Sequence, residues 1–485
     1  MLNKIKHILL LFFLIILFIP MIEDKIQQIE FLPLEGVQEK IPKPVLGLRN
    51  WLSGTFQENY VKYIEENIPF RTWLIRLRNQ IRYSLFNETS ASKIIIGKEC
   101  YLYEQDYINA YLGKDYIGEE PMKLRLKQLE SLQNTFKSQG KDLMLVIVPG
   151  KATFYPEYLP DRFKRPDNCK TNYDLFCRLI KEYKINTIDF QKYFLDNKNK
   201  SPYPLIPKCG IHWSYYGMSL AVDSMITYIE QLRNINLPDL KISNYVTSNI
   251  PQNPDYDLGN LLNIIKPIKQ PTLYYPVYNY YVNSSHTKPK VLTIGDSFYW
   301  NLYNDSIPQR LFDNVQFWYY ANSVYPESFT TPLTISQIDV KSEINKQDIF
   351  LIMITEFGLG NIGYGFVDIA NSVIQNNTSN YVPSNDLVQS YILRIKSSED
   401  WMKDIARKAK EANITVDEQL RIDAEWLLKQ ENSGLNDRIN YYVNAIKTDP
   451  EWMAAIKEKA EKNNISTEEM ILKDATWMAE NENPK

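Results

Sequence analysis

Glycine, cysteine and histidine are scarce in this chain, and each scarcity closes off a class of chemistry. The 485 residues include 17 glycines, and no Walker-type or dinucleotide-binding Gly-rich loop can be found among them. The four cysteines, Cys100, Cys169, Cys177 and Cys209, are scattered without CxxC spacing. That sets aside a zinc site and leaves a Cys169–Cys177 bridge undecided. There is no Lys/Arg-rich block, and the formal net charge is -3. Nucleic acid is therefore excluded as a partner, because phosphate binding needs a concentrated basic face. Neither a metal nor a cofactor is called for. The histidines number three: His7, His212 and His286. His7 belongs to the apolar N-terminal segment, and His286 lies in the polar stretch Asn283-Ser284-Ser285-His286-Thr287 and reads as an exposed loop residue. His212 is left as the imidazole best placed for work at neutral pH.

What is present is an ordinary globular balance, 44% hydrophobic and 23% charged, enough to bury a sizeable core. Tyrosine is abundant at 34 residues. Such rings suit a carbohydrate-facing groove, although most fill strands and half-buried positions. At the N-terminus Lys4, Lys6 and His7 precede the unbroken apolar run Ile8–Ile19, followed by Pro20, Glu23 and Asp24. A basic flank before an apolar run is an export signal. No small-residue cleavage site follows, so the reading is an uncleaved signal-anchor with the rest of the chain outside the cytoplasm, in the periplasm or at the cell surface. A cleaved signal peptide is the alternative.

Hydrophobic periodicity divides the chain into an anchor over 1–22, a proline-punctuated stalk and helical lead-in over 23–85, a main domain over 86–375, and two helical repeats over 388–433 and 438–482. The main domain alternates strands and helices. A hairpin is expected near Ile94–Tyr103, then strands at 143–148, 186–190, 290–294 and 349–355. Helices are expected over 122–139, 173–183 and 217–233. This pattern implies an α/β sandwich on a mainly parallel sheet, with ligands beyond the carboxyl ends of the strands. In the repeats, Trp401, Ile405 and Ala409 recur as Trp452, Ile456 and Ala460, and Thr415 with Glu418 recurs as Ser466 with Glu469, each a capping box. These modules carry packing or docking residues and no visible chemistry.

The chemistry centres on Gly295-Asp296-Ser297-Phe298, directly after the apolar strand Val291–Ile294. A strand ending in such a turn exposes a serine hydroxyl at the sheet edge. The backbone amides of Asp296, Ser297 and Phe298 can face an oxyanion there, with Asp296 bracing the turn. A serine nucleophile needs a base, and Gly210-Ile211-His212-Trp213 supplies the candidate.

With these motifs in order, the chain resembles the alginate O-acetyltransferase (AlgX/AlgJ-like) branch of the SGNH-hydrolase superfamily, in which the His-Trp motif precedes Gly-Asp-Ser. The resemblance spans roughly residues 50–370. It includes Ile68-Pro69-Phe70-Arg71, Ile95-Ile96-Gly97-Lys98 and Pro149-Gly150-Lys151-Ala152-Thr153-Phe154-Tyr155-Pro156-Glu157. It implies an SGNH-hydrolase-like domain with Ser297 as acetyl-carrying nucleophile and His212 as its base. It also implies a polysaccharide acceptor and an integral-membrane acyltransferase supplying acetyl groups. The chain departs from the family at Gly210, where the pattern has an aspartate two residues before the histidine. Another carboxylate is then required to orient the imidazole; Glu356, after the last strand, and Asp223, on the helix following His212, are the candidates. Lys151, Tyr155 and Trp213 are candidates for a substrate groove. The expected function is extracytoplasmic O-acetylation of a cell-envelope or exported polysaccharide through an acetyl-serine. The alternatives are a carbohydrate esterase or deacetylase with water as acceptor, and a non-catalytic glycan-binding component of an acetylation complex.

Overall fold

The computed structural model describes residues 2–26, 28–29, 31–36, 41, 43–325, 333–376, 399–412 and 414–424, with isolated positions elsewhere. Its strands in chain order are β1 (Ile94–Ile96), β2 (Leu102–Glu104), β3 (Asp142–Val148), β4 (Thr187–Asp189), β5 (Asp239–Ser248), β6 (Leu273–Tyr281), β7 (Lys290–Gly295), β8 (Asn314–Tyr319), β9 (Ser323–Tyr325), β10 (Leu333–Thr334) and β11 (Ile349–Thr355). Seven of them make one sheet in the order β10-β9-β8-β7-β11-β3-β4. From β8 to β4 the neighbours are parallel, and β9 and β10 add an antiparallel edge. The sheet is thus mainly parallel, and the main domain is an α/β fold.

Side-chain alternation makes the sheet the middle of three layers. Along β3, Met144, Val146 and Val148 join one core while Leu143, Leu145 and Ile147 join the other. β11 divides in the same way, with Leu351 and Met353 on one face and Phe350, Ile352 and Ile354 on the other. Both strands are buried throughout, which is why they read as unbroken apolar runs in the sequence. The helix Tyr215–Arg233 covers the first face with Met218, Val222 and Met225; the helix Glu119–Ser138 covers the second with Met122, Leu126 and Leu129. β7 lies inside the sheet between β8 and β11, so the turn that follows it emerges in mid-edge.

Two features depart from the expectations. β5 and β6 form a separate antiparallel ribbon, and most of its side chains lie outside the core. The stalk does not hang free at residues 31–36. There Phe31 packs edge-on against Phe70 at 4.8 Å, Arg76 donates to the Pro33 carbonyl at 2.7 Å, and Asn263 exchanges two hydrogen bonds with the Glu35 backbone. Residues Leu2–Ile26 form one helix containing Pro20. Among the described residues no helix is long and apolar enough to cross a membrane. None of the four cysteines is bridged.

The chain separates into two compact units, Met1–Tyr381 and Val382–Lys485. In the second, the helix Glu399–Ala412 buries Ile405 with Ile392, Ile395, Leu420 and Ala424. Thr415 and Glu418 exchange backbone hydrogen bonds at the start of the next helical stretch. Most of the second repeat lies outside the described residues; Ile446 and Ile456, the counterparts of Ile395 and Ile405, are buried.

Candidate active site

The turn after β7 is held from below. Asp296 is fully buried. Its Oδ1 accepts the Phe298 amide at 3.0 Å, and its Oδ2 accepts the Thr355 amide at 3.0 Å and the Tyr364 hydroxyl at 2.8 Å. One carboxylate thereby ties the turn to the end of β11, although burial pushes its acid up. The turn's expected amides therefore do not act together. The Phe298 N–H is spent on Asp296, whereas the Ser297 N–H has no acceptor among the described residues. Ser297 itself is half-buried.

His212 meets this serine. Its Nε2 lies 2.9 Å from Ser297 Oγ, and its Nδ1 lies 2.7 Å from Asp257 Oδ2. The ring packs edge-on against Phe298 at 4.9 Å. Asp257 also holds the loop that carries the histidine: its Oδ1 accepts the Ile211 amide at 2.9 Å and its own helix's Leu258 amide at 2.6 Å. A carboxylate at Nδ1 keeps the proton on that nitrogen, which leaves the Nε2 lone pair facing the serine hydroxyl.

Neither carboxylate named from the sequence backs the imidazole. Glu356 sits buried at the end of β11, where both its oxygens lie 2.7 Å from the Thr153 hydroxyl. Its side chain fills the space above Gly150, so close that a Cβ there would lie 2.1 Å from Oε1. Burial pushes its acid up to about 8. Asp223 is exposed on the helix Tyr215–Arg233. Asp257 was missed because it lies 45 residues beyond His212 and heads a short helix in an otherwise irregular segment. The glycine at 210 fits the same arrangement. A Cβ there would come within 2.9 Å of the Pro254 and Asp255 carbonyl oxygens and 2.7 Å of Pro207 Cγ. The segment bearing Asp257 thus occupies the room that a side chain at 210 would need.

Two of the three groove candidates, Lys151 and Trp213, are buried, and the third, Tyr155, is half-buried. Lys151 is fully buried, and its Nζ donates to the Lys208 carbonyl at 2.8 Å and the Gly210 carbonyl at 2.6 Å. Burial pulls its pKa down to about 7. The lysine is a tie beneath the histidine loop. Trp213 is fully buried against Phe298, with ring centroids 5.4 Å apart. Tyr155 is half-buried in a cluster with Tyr101 and Phe154, at 5.1 and 4.5 Å. Asp255, two residues before Asp257, is buried and pushed up to about 7 by burial. His286, expected to be exposed, has a side chain only 4% exposed: its Nδ1 accepts the Asn283 amide at 2.9 Å and its Nε2 lies 3.8 Å from Asp239. Among the described residues no cluster of three His, Cys, Asp or Glu side chains is arranged to hold a metal ion.

Set against known proteins, residues 94–299 match the family model described as "SGNH hydrolase-like domain, acetyltransferase AlgX". The matched span contains His212, Asp257 and Ser297. Two curated relatives bear the name "Probable alginate O-acetylase AlgJ". The one from Pseudomonas fluorescens is 28% identical over 108 residues, which is 22% of this chain and 26% of the relative. The one from Pseudomonas syringae pv. tomato is 26% identical over 110 residues, 23% of this chain and 27% of the relative. The chain thus spans about a quarter of the length of the curated relatives it matches. Among solved structures, the O-acetyltransferase domain of Pseudomonas putida AlgJ is 15% identical with a TM-score of 0.38, covering 55% of this chain and 92% of that one.

Proposed function

We propose, for a chain whose residues 94–299 match the model of an SGNH hydrolase-like domain described as acetyltransferase AlgX, an O-acetyltransferase that modifies a polysaccharide through an acetyl-serine intermediate. The observation that carries this reading is the unbroken relay Ser297–His212–Asp257, with contacts of 2.9 and 2.7 Å. Ser297 Oγ attacks the carbonyl carbon of an acetyl donor while His212 Nε2 takes its proton. The Ser297 N–H faces the oxyanion, and Asp257 stabilises the imidazolium that forms. The intermediate collapses with the proton passing from His212 to the leaving group, and acetyl-Ser297 remains. A sugar hydroxyl then gives its proton to His212 and attacks the acetyl carbon. Expulsion of Ser297 Oγ, reprotonated by His212, releases the O-acetylated sugar.

Localisation and donor belong to the same proposal. Lys4 and Lys6 before the apolar run support a signal-anchor with the remainder outside the cytoplasm. An integral-membrane acyltransferase would then deliver acetyl groups to that side.

The test is acetyl transfer from an artificial acetyl ester, with and without glycan acceptors. The expected result is O-acetylated glycan that forms with the wild-type chain and is lost in Ser297→Ala. Ester hydrolysis indifferent to every acceptor, with no acetylated glycan, would contradict transfer and leave an esterase.

A further inference from the structure

Asp257 heads a helix of only five residues, Asp257–Leu261. A helix this short has little stability of its own, and its last carbonyls find no partner within it. The histidine loop grips one side. The Gly259 amide donates to the Cys209 carbonyl at 3.0 Å, and Asp257 Oδ1 accepts the Ile211 amide at 2.9 Å. The far end is gripped by residues distant in the chain. On the helix Arg71–Ile81, Asn79 is buried, and its Nδ2 donates to the Leu262 carbonyl at 3.0 Å and the Asn263 carbonyl at 3.4 Å. One residue on, Gln80 Oε1 accepts the Lys266 amide at 2.7 Å.

The third grip is Asn263. Its backbone is left-handed, φ 48, a conformation that often ends a helix and that glycine adopts at less cost. What glycine lacks is the side-chain amide, and here that amide is engaged at both ends. Its Oδ1 accepts the Glu35 N–H at 2.8 Å, while its Nδ2 donates to the Glu35 carbonyl at 3.0 Å and the Leu261 carbonyl at 3.3 Å. Asn263 is buried although it lies in a connecting segment. The chain at Gly36 passes so near that a Cβ there would lie 3.5 Å from Leu261 Cδ2. Residues 31–36 are themselves fixed to the lead-in helix through the Arg76–Pro33 and Phe31–Phe70 contacts. They form a strap bound both to that helix and to the end of the Asp257 helix. An element so short passes a shift at its end on to Asp257, whose 2.7 Å contact orients the imidazole.

We propose that Asn263, tied to the Glu35 backbone, is a positioning residue for Asp257, and that the strap 31–36 thereby sets how His212 is aimed at Ser297. This rests on the acetyl-transfer reading and extends the support of the relay to the stalk, outside residues 94–299.

Two readouts in the full-length chain separate positioning from the reaction. The first is proton NMR without substrate. A histidine Nδ1–H bonded to a carboxylate resonates far downfield of the amides, and His286 cannot supply this signal because its Nδ1 accepts. The second is the rate of acetyl-Ser297 formation from an artificial acetyl ester, by intact mass. Asn263→Gly keeps the left-handed backbone and removes the tie. It should broaden the His212 signal and slow acetylation by about tenfold or more. Glu35→Pro removes the N–H that Asn263 accepts and leaves Asn263 in place; it should act in the same direction, and it serves alone if Asn263→Gly does not fold. Gln133→Ala is the control, because Gln133 makes a comparable tie on the other face of the sheet, to the Lys184 carbonyl at 2.7 Å and the Asn186 amide at 2.8 Å. It should lower the melting temperature and leave both readouts as in wild type. Added to Asp257→Asn, Asn263→Gly should slow acetylation by less than about twofold further, since its effect runs through Asp257. A signal and rate unchanged in either folded strap variant, or a full further loss on top of Asp257→Asn, would overturn the proposal. A wild-type chain that never forms acetyl-Ser297 would defeat the acetyl-transfer reading alone, with the NMR signal still reporting on Asp257.

Discussion

At the scale of single residues, the account turns on Asp257 in the role that the family gives to a residue two places before the histidine. Asp257→Asn keeps the shape but offers an amide to Nδ1, and should lower acetyl transfer by about 100- to 10,000-fold. Glu356→Gln and Asp223→Asn should leave the rate within about twofold, a comparison read directly from steady-state kinetics. Gly210→Ala sets a methyl against the 254–255 backbone and should cost about 1–3 kcal/mol in denaturant unfolding. Glu356 makes a separate prediction about pH. Its acid lies near 8 in the folded chain against an ordinary 4.5. Below the lower value both states hold the proton; between the two values only the folded state does. Stability from this group is therefore complete below about 4.5 and is lost as pH rises to about 8. The melting temperature of Glu356→Gln, relative to wild type, should rise between about pH 5 and about pH 8; a flat difference would contradict the assignment. Ser297 and His212 could be picked out from the sequence because each sits in a compact motif. Asp257 could not, because its role arises from a close approach of two loops that no local pattern encodes.

At the scale of elements, legibility followed burial. β3 and β11 are covered on both faces, so their apolar runs were plain in the sequence. The hairpin of β1 and β2 and the long helices Glu119–Ser138 and Tyr215–Arg233 were likewise visible from periodicity. β8 reads Asn314-Val315-Gln316-Phe317-Trp318-Tyr319, and its polar start conceals a strand. β5 and β6 pack largely on each other, so tertiary pairing rather than a hydrophobic face defines them. The element that matters most for chemistry is the turn between β7 and the helix Tyr299–Asn304. Tyr364→Phe removes one of the three donors to the buried Asp296 carboxylate. Unfolding by denaturant should show a loss of about 1–3 kcal/mol, with a lower acetylation rate as the turn loosens. Unchanged stability would mean that Asp296 does not carry the turn.

At the scale of the whole molecule, the three relay residues come from one unit, Met1–Tyr381. They are brought together from a loop, a short helix and a strand end that span residues 212–297. A chain ending at Tyr381 is accordingly expected to form acetyl-serine at about the full-length rate, within about twofold, as measured by time-resolved intact mass. The central claim is tested most directly by peptide mass mapping of the wild-type chain after exposure to an acetyl ester without acceptor. The account predicts one acetyl group on the peptide containing Ser297, removed when a glycan acceptor is added and formed far more slowly in Asp257→Asn. An unmodified Ser297 peptide, or equal acetylation in Asp257→Asn, would contradict it.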